Sequence, residues 1–418
     1  MTIVVIGGGL AGLSAAVKLS EAGIDVTLVE KGAELGGAAA SYKIGDYTIE
    51  KYYHHLFASD DTLLRLIEKL ELKTKLEWRT ARTGYFVDGK IYPLNTPSEI
   101  MKYPYLSFMD KARLALLVLR AKRAELSRFN NVSAADFLAK YGKRTYENFF
   151  EPLLRSKFGS GGGISAAWLL GRIKIRSTRS VEGERLGYIR GGFQQVIERM
   201  GSRIKGGIRT NCEARRIVVD NNRVAGVDIG GEVIKCEGII STAAPQLLNS
   251  LLVTPAVREV NYQGAACFLF GLSGKLMEDT YWLNIKGDVP FGALVEHTNF
   301  LPEDDYGENL LYVASYFQNE NDIRWHLGEE ELMGLYTQKL EELFPGFAAK
   351  VRWWRLAREL FAGPIYEVGY KPLPYETGVR GLYTAGMFSL PNYPERSMNG
   401  SIRAGEECAE RMIKYLGQ

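Results

Sequence analysis

The chain of 418 residues is poor in cysteine and histidine, with four of each. The cysteines lie far apart and form no CxxC pair, so neither a disulfide framework nor a metal site is expected. The net charge is only +3, which argues against a nucleic-acid-binding protein. The longest strongly apolar run, LALLVL, falls far short of the roughly 18 residues that span a bilayer. We therefore expect a cytoplasmic globular protein, long enough for two domains of roughly 100–200 residues each.

Glycine is abundant by contrast, with 45 residues, and three of them form the strongest motif. TIVVIGGGLAGLSAAVKLSEAGIDVTLVEK reads as a strand, a glycine turn, a helix and a second strand. Gly7, Gly9 and Gly12 fill the GxGxxG pattern, which permits a tight turn, a close approach to a pyrophosphate and close helix–strand packing. Glu30 ends the second strand, where a carboxylate accepts hydrogen bonds from a ribose. The sequence therefore predicts a dinucleotide site.

Further segments carry a resemblance to a known family: KGAELGGAAAS after Glu30, GYIRGGF, IISTAAP, and the C-terminal GLYTAGMFS with ERSMNGSIRAGEECAERMI. With them the chain resembles, over nearly its whole length, the flavoprotein superfamily of amine oxidases, phytoene desaturases and protoporphyrinogen oxidases. The resemblance implies an α/β fold with α+β inserts, in which a Rossmann-like FAD-binding domain is built from both chain ends. The expected bounds are 1–77, 186–260 and 359–418 for this domain, and 78–185 and 261–358 for an inserted mixed substrate domain.

The resemblance also implies the residues that contact FAD. By position, Gly7, Gly9 and Gly12 would hold the pyrophosphate and Glu30 the adenosine ribose. The other positions expected at the cofactor are Lys31, Gly36, Gly37, Ala214, Gly386, Met387, Ser397, Met398 and Asn399. Two residues depart from the family pattern, since Ala38 stands where the family often has Arg and Met387 where it often has Asp. No cysteine or histidine lies near Gly386 in the sequence, so we expect FAD to bind non-covalently.

Half of the histidines stand in one short segment, EKYYHHLFASDD at 50–61. In the resembling families the corresponding segment passes the flavin, and UDP-galactopyranose mutases have a similar aromatic–histidine pattern there. We therefore expect His54 and His55 to line the reacting face of the flavin. An imidazole there can donate or accept a proton near pH 7, or hydrogen-bond the reduced flavin. The alternative is that an imidazole only caps the loop.

The middle of the chain is predicted to build the substrate domain. WRTARTGYFVDGKIYPL indicates a hairpin that turns at Asp88–Gly89, and helical patterns follow at 108–127 and 133–154. The helix at 108–127 is basic on one face and apolar on the other, which favours an ordinary packed helix, with a helix on a membrane surface as the alternative. The glycine-rich GSGGGIS at 159–165 is predicted to be a loop.

These features predict an FAD-dependent oxidoreductase (an oxidase, dehydrogenase or desaturase) that removes a hydride from a C–H bond of a small or lipid-like substrate. An apolar or amphipathic substrate is expected. Arg396 and Arg403 either hold an anionic substrate or pair with Glu406 or Glu407. Two alternative functions stay open: a flavin-dependent, non-redox isomerase of the mutase type, and a flavin- or lipid-binding protein without turnover. Peripheral membrane contact is an alternative to a purely cytoplasmic location, and the oligomeric state is not predicted.

Overall fold

The computed structural model describes residues 2–159, 163–176 and 183–417. In chain order the strands are β1 (Thr2–Ile6), β2 (Asp25–Val29), β3 (Ser41–Ile44), β4 (Tyr47–Glu50), β5 (Leu76–Ala81), β6 (Thr83–Val87), β7 (Lys90–Pro93), β8 (Glu184–Ile189), β9 (Gly206–Arg209), β10 (Arg216–Asp220), β11 (Arg223–Asp228), β12 (Val233–Lys235), β13 (Gly238–Ser241), β14 (Tyr262–Leu272), β15 (Trp282–Ile285), β16 (Ala293–Glu296), β17 (Asn309–Phe317), β18 (Val351–Pro364) and β19 (Leu382–Thr384). The helices are α1 (Leu10–Glu21), α2 (Asp61–Lys69), α3 (Pro97–Lys102), α4 (Phe108–Arg123), α5 (Ala134–Ala139), α6 (Lys143–Thr145), α7 (Glu151–Phe158), α8 (Ala166–Arg176), α9 (Gln194–Gly201), α10 (Pro245–Ser250), α11 (Ile323–His326), α12 (Glu329–Leu343), α13 (Phe347–Lys350) and α14 (Met398–Leu416).

One sheet gathers five parallel strands from distant parts of the chain, in the order β19-β13-β1-β2-β9. β1 is central and buried almost throughout, as its apolar, β-branched sequence TIVVI requires. Helices α1 and α14 pack so closely together that a Cβ at Gly405 would overlap the carbonyl oxygen of Ala11. Because β1 comes from the N-terminal end and β19 and α14 from the C-terminal end, both chain ends build this Rossmann-like domain, as predicted.

A second sheet is mixed, in the order β18-β14-β17-β16-β15-β6-β7. Its strands pair antiparallel except β15 and β6, which are parallel. The predicted hairpin is confirmed: β6 and β7 turn at Asp88 and Gly89, whose φ angles are 49° and 75°. An apolar core between this sheet and α12 and a separate core among α4, α5, α7 and α8 complete the inserted part. The predicted fold class is therefore confirmed.

Three strands cross the domain bounds expected from the sequence. β5 runs across 77/78, β8 across 185/186 and β18 across 358/359, and β5 pairs with β8 along its whole length. Paired strands therefore connect the two parts of the molecule at two of these bounds. The exact domain bounds stay a prediction.

The helices of the inserted part differ in length from those predicted. Ser133 caps α5, since its Oγ accepts the N–H of Asp136 at 3.0 Å. The prediction of one helix over 133–154 is wrong, because Gly142 adopts a φ of 102° and ends the helical run between α5 and α6. A π-helical turn at Tyr146–Phe150 then leads into α7. Residues 160–162 of the predicted GSGGGIS loop lie outside the described residues.

Helix α4 begins at a capping box formed by Ser107 and Asp110 and ends at Arg123, before the predicted bound. It packs through its buried residues Leu114, Leu117 and Ala121. The opposite face is apolar but exposed: 75% of Phe108, 59% of Met109, 59% of Leu116 and 54% of Leu119 are accessible to solvent. The expectation of an ordinary packed helix thus holds for one face only. Within the described ranges, no helix is both long and apolar enough to cross a membrane.

Candidate functional site

Four parallel strands end at the same edge of the five-stranded sheet, and each is followed by a residue that faces that edge. Gly7 follows β1, Glu30 follows β2, Thr242 follows β13 and Gly386 comes two residues after β19. In open α/β sheets ligands bind in the crevice outside the carboxyl ends of the strands. The predicted cofactor residues are therefore brought to the edge where a dinucleotide binds.

The two glycine motifs lie against each other at the amino end of α1. Gly7 has a φ of 103°, which only glycine adopts readily, and a Cβ at Gly12 would overlap the carbonyl oxygen of Gly7. Gly36 donates its N–H to the carbonyl oxygen of Gly8 at 2.8 Å, and a Cβ at Gly37 would lie 3.2 Å from the Cα of Gly9. No side chain caps α1, so its first N–H groups remain available to a phosphate.

Glu30 organises the loop beside this cradle. Its two carboxylate oxygens accept the N–H groups of Gly8 and Gly32, both at 2.7 Å. A carboxylate has about four lone-pair sites, so capacity remains for ribose hydroxyls. The N–H of Cys212 donates to the carbonyl oxygen of Glu30 at 2.8 Å, which brings the segment that carries Ala214 next to it. Lys31 is exposed directly beside Glu30.

The side-chain amide of Asn392 connects two of the C-terminal residues expected at FAD through hydrogen bonds. Asn392 donates its Nδ2–H to the carbonyl oxygen of Gly386 at 3.1 Å and accepts the N–H of Ser397 at 3.0 Å. The N–H of Gly386 donates to Ser389 Oγ at 3.1 Å. Ser397 caps α14 by accepting the N–H of Gly400 at 3.0 Å. A second helix therefore starts at the same crevice as α1.

The remaining C-terminal positions hold this crevice to its surroundings. Asn399 accepts the N–H of Leu63 at 2.9 Å through its side-chain oxygen, which fixes α2 against α14. The carbonyl oxygen of Met387 accepts the hydroxyl of Tyr366 at 3.0 Å. Met398 is half-buried against the core of the sheet domain. The roles of all these residues towards FAD stay predictions, but the structure brings them to one crevice.

Two supporting residues were missed in the sequence. Thr242 donates its hydroxyl to the carbonyl oxygen of Ile6 at 3.0 Å and lies within 3.3 Å of that of Gly7, so it supports the glycine turn from β13. It stands in the motif IISTAAP, where the strand-then-proline pattern was the only signal. Asn392 had no local signal, because its role depends on the return of the chain to Gly386.

The histidine segment is fixed by a buried carboxylate at its start. Glu50 is fully buried and accepts the N–H of Phe193 and the hydroxyl of Tyr188, both at 2.7 Å. Burial raises the pKa of this carboxyl. Leu56, further along, exchanges two backbone hydrogen bonds with Gly187, at 2.9 and 2.8 Å. The segment between them is therefore held at both ends.

The two imidazoles face different neighbours. His54 Nδ1 lies 2.6 Å from the carbonyl oxygen of Tyr52; because a carbonyl only accepts, Nδ1 carries the proton and Nε2 is left as an acceptor. His55 Nδ1 lies 3.3 Å from the hydroxyl of Tyr281, and its ring packs at 5.2 Å against that of Phe57. Burial lowers the pKa of His54, and burial together with the charge of Arg176 lowers that of His55 to about 3. Both imidazoles are therefore neutral at pH 7, which favours acceptors over imidazolium acids. Their catalytic roles stay predictions.

Next to this segment, three cations meet around one carboxylate. We call Lys157, Arg172 and Arg396 the cation cluster; Arg172 Nη1 lies 2.6 Å from Glu395 Oε1. Although burial opposes it, Arg172, Lys157 and Arg396 together hold the pKa of Glu395 below its usual range. Arg403, by contrast, pairs with Glu407 at 2.7 Å, so for this residue the structure shows the ion pair.

Aromatic rings join the cation cluster to the histidine segment. The Nζ of Lys157 lies 5.0 Å from the ring centre of Trp168 and 5.7 Å from that of Tyr316. The hydroxyl of Tyr316 is in turn 2.9 Å from that of Tyr53, directly before His54. Beside the cluster, a cavity of about 550 Å³ is lined by residues that include Phe158, Gln318, Tyr262 and Phe361.

A family model for flavin containing amine oxidoreductases matches residues 10–413 of the chain. The chain belongs to this family. It is an FAD-dependent oxidoreductase, and the resemblance noted in its sequence is confirmed. The glycine cradle, the uncapped start of α1 and the carboxylate of Glu30 fit the pyrophosphate and ribose of FAD.

Individual relatives are distant, but they match nearly the whole of this chain. The chain is 22% identical to a zeta-carotene desaturase of Capsicum annuum, over 98% of this chain and 80% of that protein. It is 23% identical to the flavin-containing amine oxidase B of Homo sapiens, over 100% of this chain and 86% of that protein. Its fold is similar to that of a reduced UDP-galactopyranose mutase, with a TM-score of 0.75 at 17% identity, covering 99% of this chain and 95% of the other.

Proposed function

We propose that this flavoenzyme removes a hydride from a C–H bond of an organic substrate bound between the histidine segment and the cation cluster. FAD, when bound, accepts the hydride, as flavins do. The observation that carries this proposal is a wall of polar and aromatic side chains that the rest of the protein leaves partly uncovered. Tyr53, His54, His55 and Arg172 lie deep in the molecule yet keep accessible surface, 30% for the Arg172 side chain. We infer that the flavin and the substrate cover this surface.

The residues of this wall bind, orient and exclude water. Neutral His54 presents Nε2 as an acceptor for a proton or a hydrogen bond, and its Nδ1–H is held by the carbonyl oxygen of Tyr52. Burial raises the pKa of Tyr53 far above neutrality, so its hydroxyl stays protonated beside that of Tyr316. These side chains can orient the substrate against the flavin and accept or donate protons, which is the protein's share of flavin catalysis.

Anaerobic mixing of the holoenzyme with candidate substrates tests this proposal. The panel contains amines, polyenes and acidic amphiphiles, and the visible absorbance of oxidised flavin is followed. Bleaching by one class, with formation of the oxidised product, is the expected result. Failure of every class to bleach the flavin, although an external reductant does so, would contradict it.

A flavin-dependent isomerase is the second candidate, because the cation cluster would suit the diphosphate of a sugar nucleotide. An isomerase would form product only after an added reductant has reduced the flavin, and the flavin would stay reduced during turnover. A flavin- or lipid-binding protein without turnover would show neither behaviour. The same anaerobic experiment therefore separates the three functions.

A further inference from the structure

We infer that the cation cluster is the receptor for an anionic group, a carboxylate or phosphate, on an otherwise apolar substrate. The inference rests on the proposed function, since it requires the substrate to occupy the space beside the histidine segment. It names the substrate class that this space accepts. Simple amines are then poor substrates, because their ammonium group would meet charges of the same sign.

The first support is the position of the Lys157 ammonium. Within the described residues it has no carboxylate at ion-pair distance and no hydrogen-bond acceptor, and its contacts are the rings of Trp168, Tyr316 and Phe158 at 5.0, 5.7 and 5.5 Å. Cation–π contacts offset only part of the loss of hydration of an ammonium group. Burial and the charge of Arg172 lower the pKa of Lys157 well below its usual value. A bound anion would supply the missing acceptor and restore the charge.

The second support is the local charge balance. Glu395 pairs with Arg172 through Oε1 and its Oε2 is buried without a hydrogen-bond partner, while Arg396 has no carboxylate at ion-pair distance in the described part of the chain. The contact that Arg396 makes is a neutral one, from Nη2 to the side-chain oxygen of Gln263 at 3.1 Å. Guanidinium and ammonium groups that converge in a shielded space are suited to carboxylate or phosphate.

The third support is the apolar surface around the cluster. Trp168 and Phe158 pack edge to face at 4.7 Å, and Phe158 also lines the adjoining cavity of about 550 Å³. Tyr262 and Phe361, at 5.5 Å from each other, form another part of that cavity, whose lining is otherwise mixed and includes the carboxylates of Glu320 and Glu367. Ligand sites combine a mostly apolar lining with a few polar groups that fix orientation. The arrangement fits an acidic group attached to an apolar chain or ring system.

Binding of three chain-matched probes to the holoenzyme tests the inference: decanoate, decanol and decylamine, by isothermal titration calorimetry. Decanoate should bind at least about ten-fold tighter than decanol, and decylamine most weakly; a charge-assisted hydrogen bond supports this magnitude. Lys157→Met and Arg396→Met should each weaken decanoate by about ten-fold or more and leave decanol unchanged. Lys43→Met and Arg352→Met, which remove exposed cations elsewhere, are the matched controls.

Equal binding of decanoate and decanol, or unchanged decanoate binding in both cluster variants, would overturn the inference. Lys157→Arg keeps the charge and should retain most of the decanoate affinity, which separates charge from packing if Lys157→Met is unstable. An amine that reduces the flavin at a rate unchanged in both cluster variants would overturn the inference about the substrate class but leave the proposed hydride removal standing. If decanoate binding depends on Lys157 and Arg396 but no substrate bleaches the flavin, the anion site stands and the proposed hydride removal is wrong.

A second feature, independent of the cavity, is the exposed face of α3 and α4. Five of the large apolar side chains that are exposed in the described part of the chain lie here: Met101, Phe108, Met109, Leu116 and Leu119. On α4, Leu116 follows Met109 by seven residues, or two helical turns, and Leu119 follows by three more, so with Phe108 these side chains share one face and form a stripe. We propose that this stripe docks onto an anionic membrane surface.

The charges around the stripe complement such a surface. Residues 97–123 contain six basic side chains and two acidic ones. The acids, Glu99 and Asp110, are both engaged in capping boxes, while Lys102, Lys122 and Arg123 are exposed. An apolar face flanked by cations is the pattern of helices that lie on a membrane surface, where each cation is attracted to anionic lipid.

Co-sedimentation of the holoenzyme with vesicles tests this docking. Binding to phosphatidylcholine vesicles that contain phosphatidylserine is expected, and it should weaken with added salt. The double variant Phe108→Ser, Leu116→Ser should lose at least about ten-fold in affinity, whereas Val253→Ser, which removes a side chain 97% exposed elsewhere, should not. Binding unaffected by the double variant would overturn the proposal. The proposal would also be overturned if the wild-type protein binds no vesicles but self-associates, and if the double variant abolishes that self-association.

Discussion

Replacement of Glu30 by alanine should weaken FAD binding through the adenosine half of the cofactor. The carboxylate accepts the N–H groups of Gly8 and Gly32 at 2.7 Å each and keeps lone pairs for the ribose. A hydrogen bond to a charged group contributes roughly 1.5–3 kcal/mol, so losing one to the ribose should raise the Kd of FAD by about ten- to a hundred-fold or more. The two backbone N–H groups also lose their acceptor, which should lower the melting temperature of the apoprotein.

Titration of the apoprotein with FAD and with riboflavin, followed by flavin fluorescence, separates these effects. Riboflavin lacks the ribose that Glu30 is expected to hold, so its Kd should change little. Glu34→Ala is the matched control, because Glu34 lies on the same loop but is exposed and pairs with Lys51 at 2.7 Å. An unchanged Kd for FAD, or an equal loss for riboflavin, would refute the assignment of Glu30 to the ribose.

The other predictions concern the histidines and the glycine turn. His54→Ala should retain FAD but slow flavin reduction by about 10²–10⁴-fold if Nε2 accepts a proton. His55→Ala should lower the melting temperature but change the rate of flavin reduction little. Wild-type reduction rates in both variants would remove both histidines from the mechanism. Burial lowers the pKa of His297 to about 3, below its unfolded value of 6.5. The unfolded state therefore binds the extra proton as pH falls below 6.5, so this residue should cost about 2 kcal/mol of stability between pH 7 and pH 5. Denaturant titrations of His297→Gln should lack that part of the pH dependence. Gly12→Ala should abolish FAD binding, because its Cβ would overlap the carbonyl oxygen of Gly7; a yellow Gly12→Ala protein would contradict this.

The cofactor crevice could be predicted because its requirements are local. Gly7 needs a positive φ, and Gly12 has no room for a side chain beside Gly7. Such constraints leave a mark at fixed spacing in the sequence, and the buried strand β1 and the carboxylate of Glu30 lie within the same thirty residues. The position of the C-terminal residues at the same crevice followed from the family resemblance, since no local rule places β19 next to β13.

The cation cluster could be predicted only in part: Arg396 was a candidate for holding an anionic substrate, but Lys157 and Arg172 come from separate elements and had no such signal. Lys157 lies on α7, Arg172 on α8, and Glu395 and Arg396 on the loop before α14. Only the tertiary fold brings them together, and each alone resembles an ordinary surface charge. The exposed apolar face of α4 could not be predicted either, since an amphipathic pattern does not show how much of a helix's apolar surface another element covers.

Removal of a hydride from a C–H bond of the substrate can be tested by isotope substitution at that carbon. The rate of anaerobic flavin reduction in a single turnover is compared for a substrate with hydrogen and with deuterium at the reacting carbon. We expect bleaching of the oxidised flavin with a primary isotope effect on its rate, and no bleaching when the substrate is omitted. Formation of product without any net reduction of the flavin would contradict it.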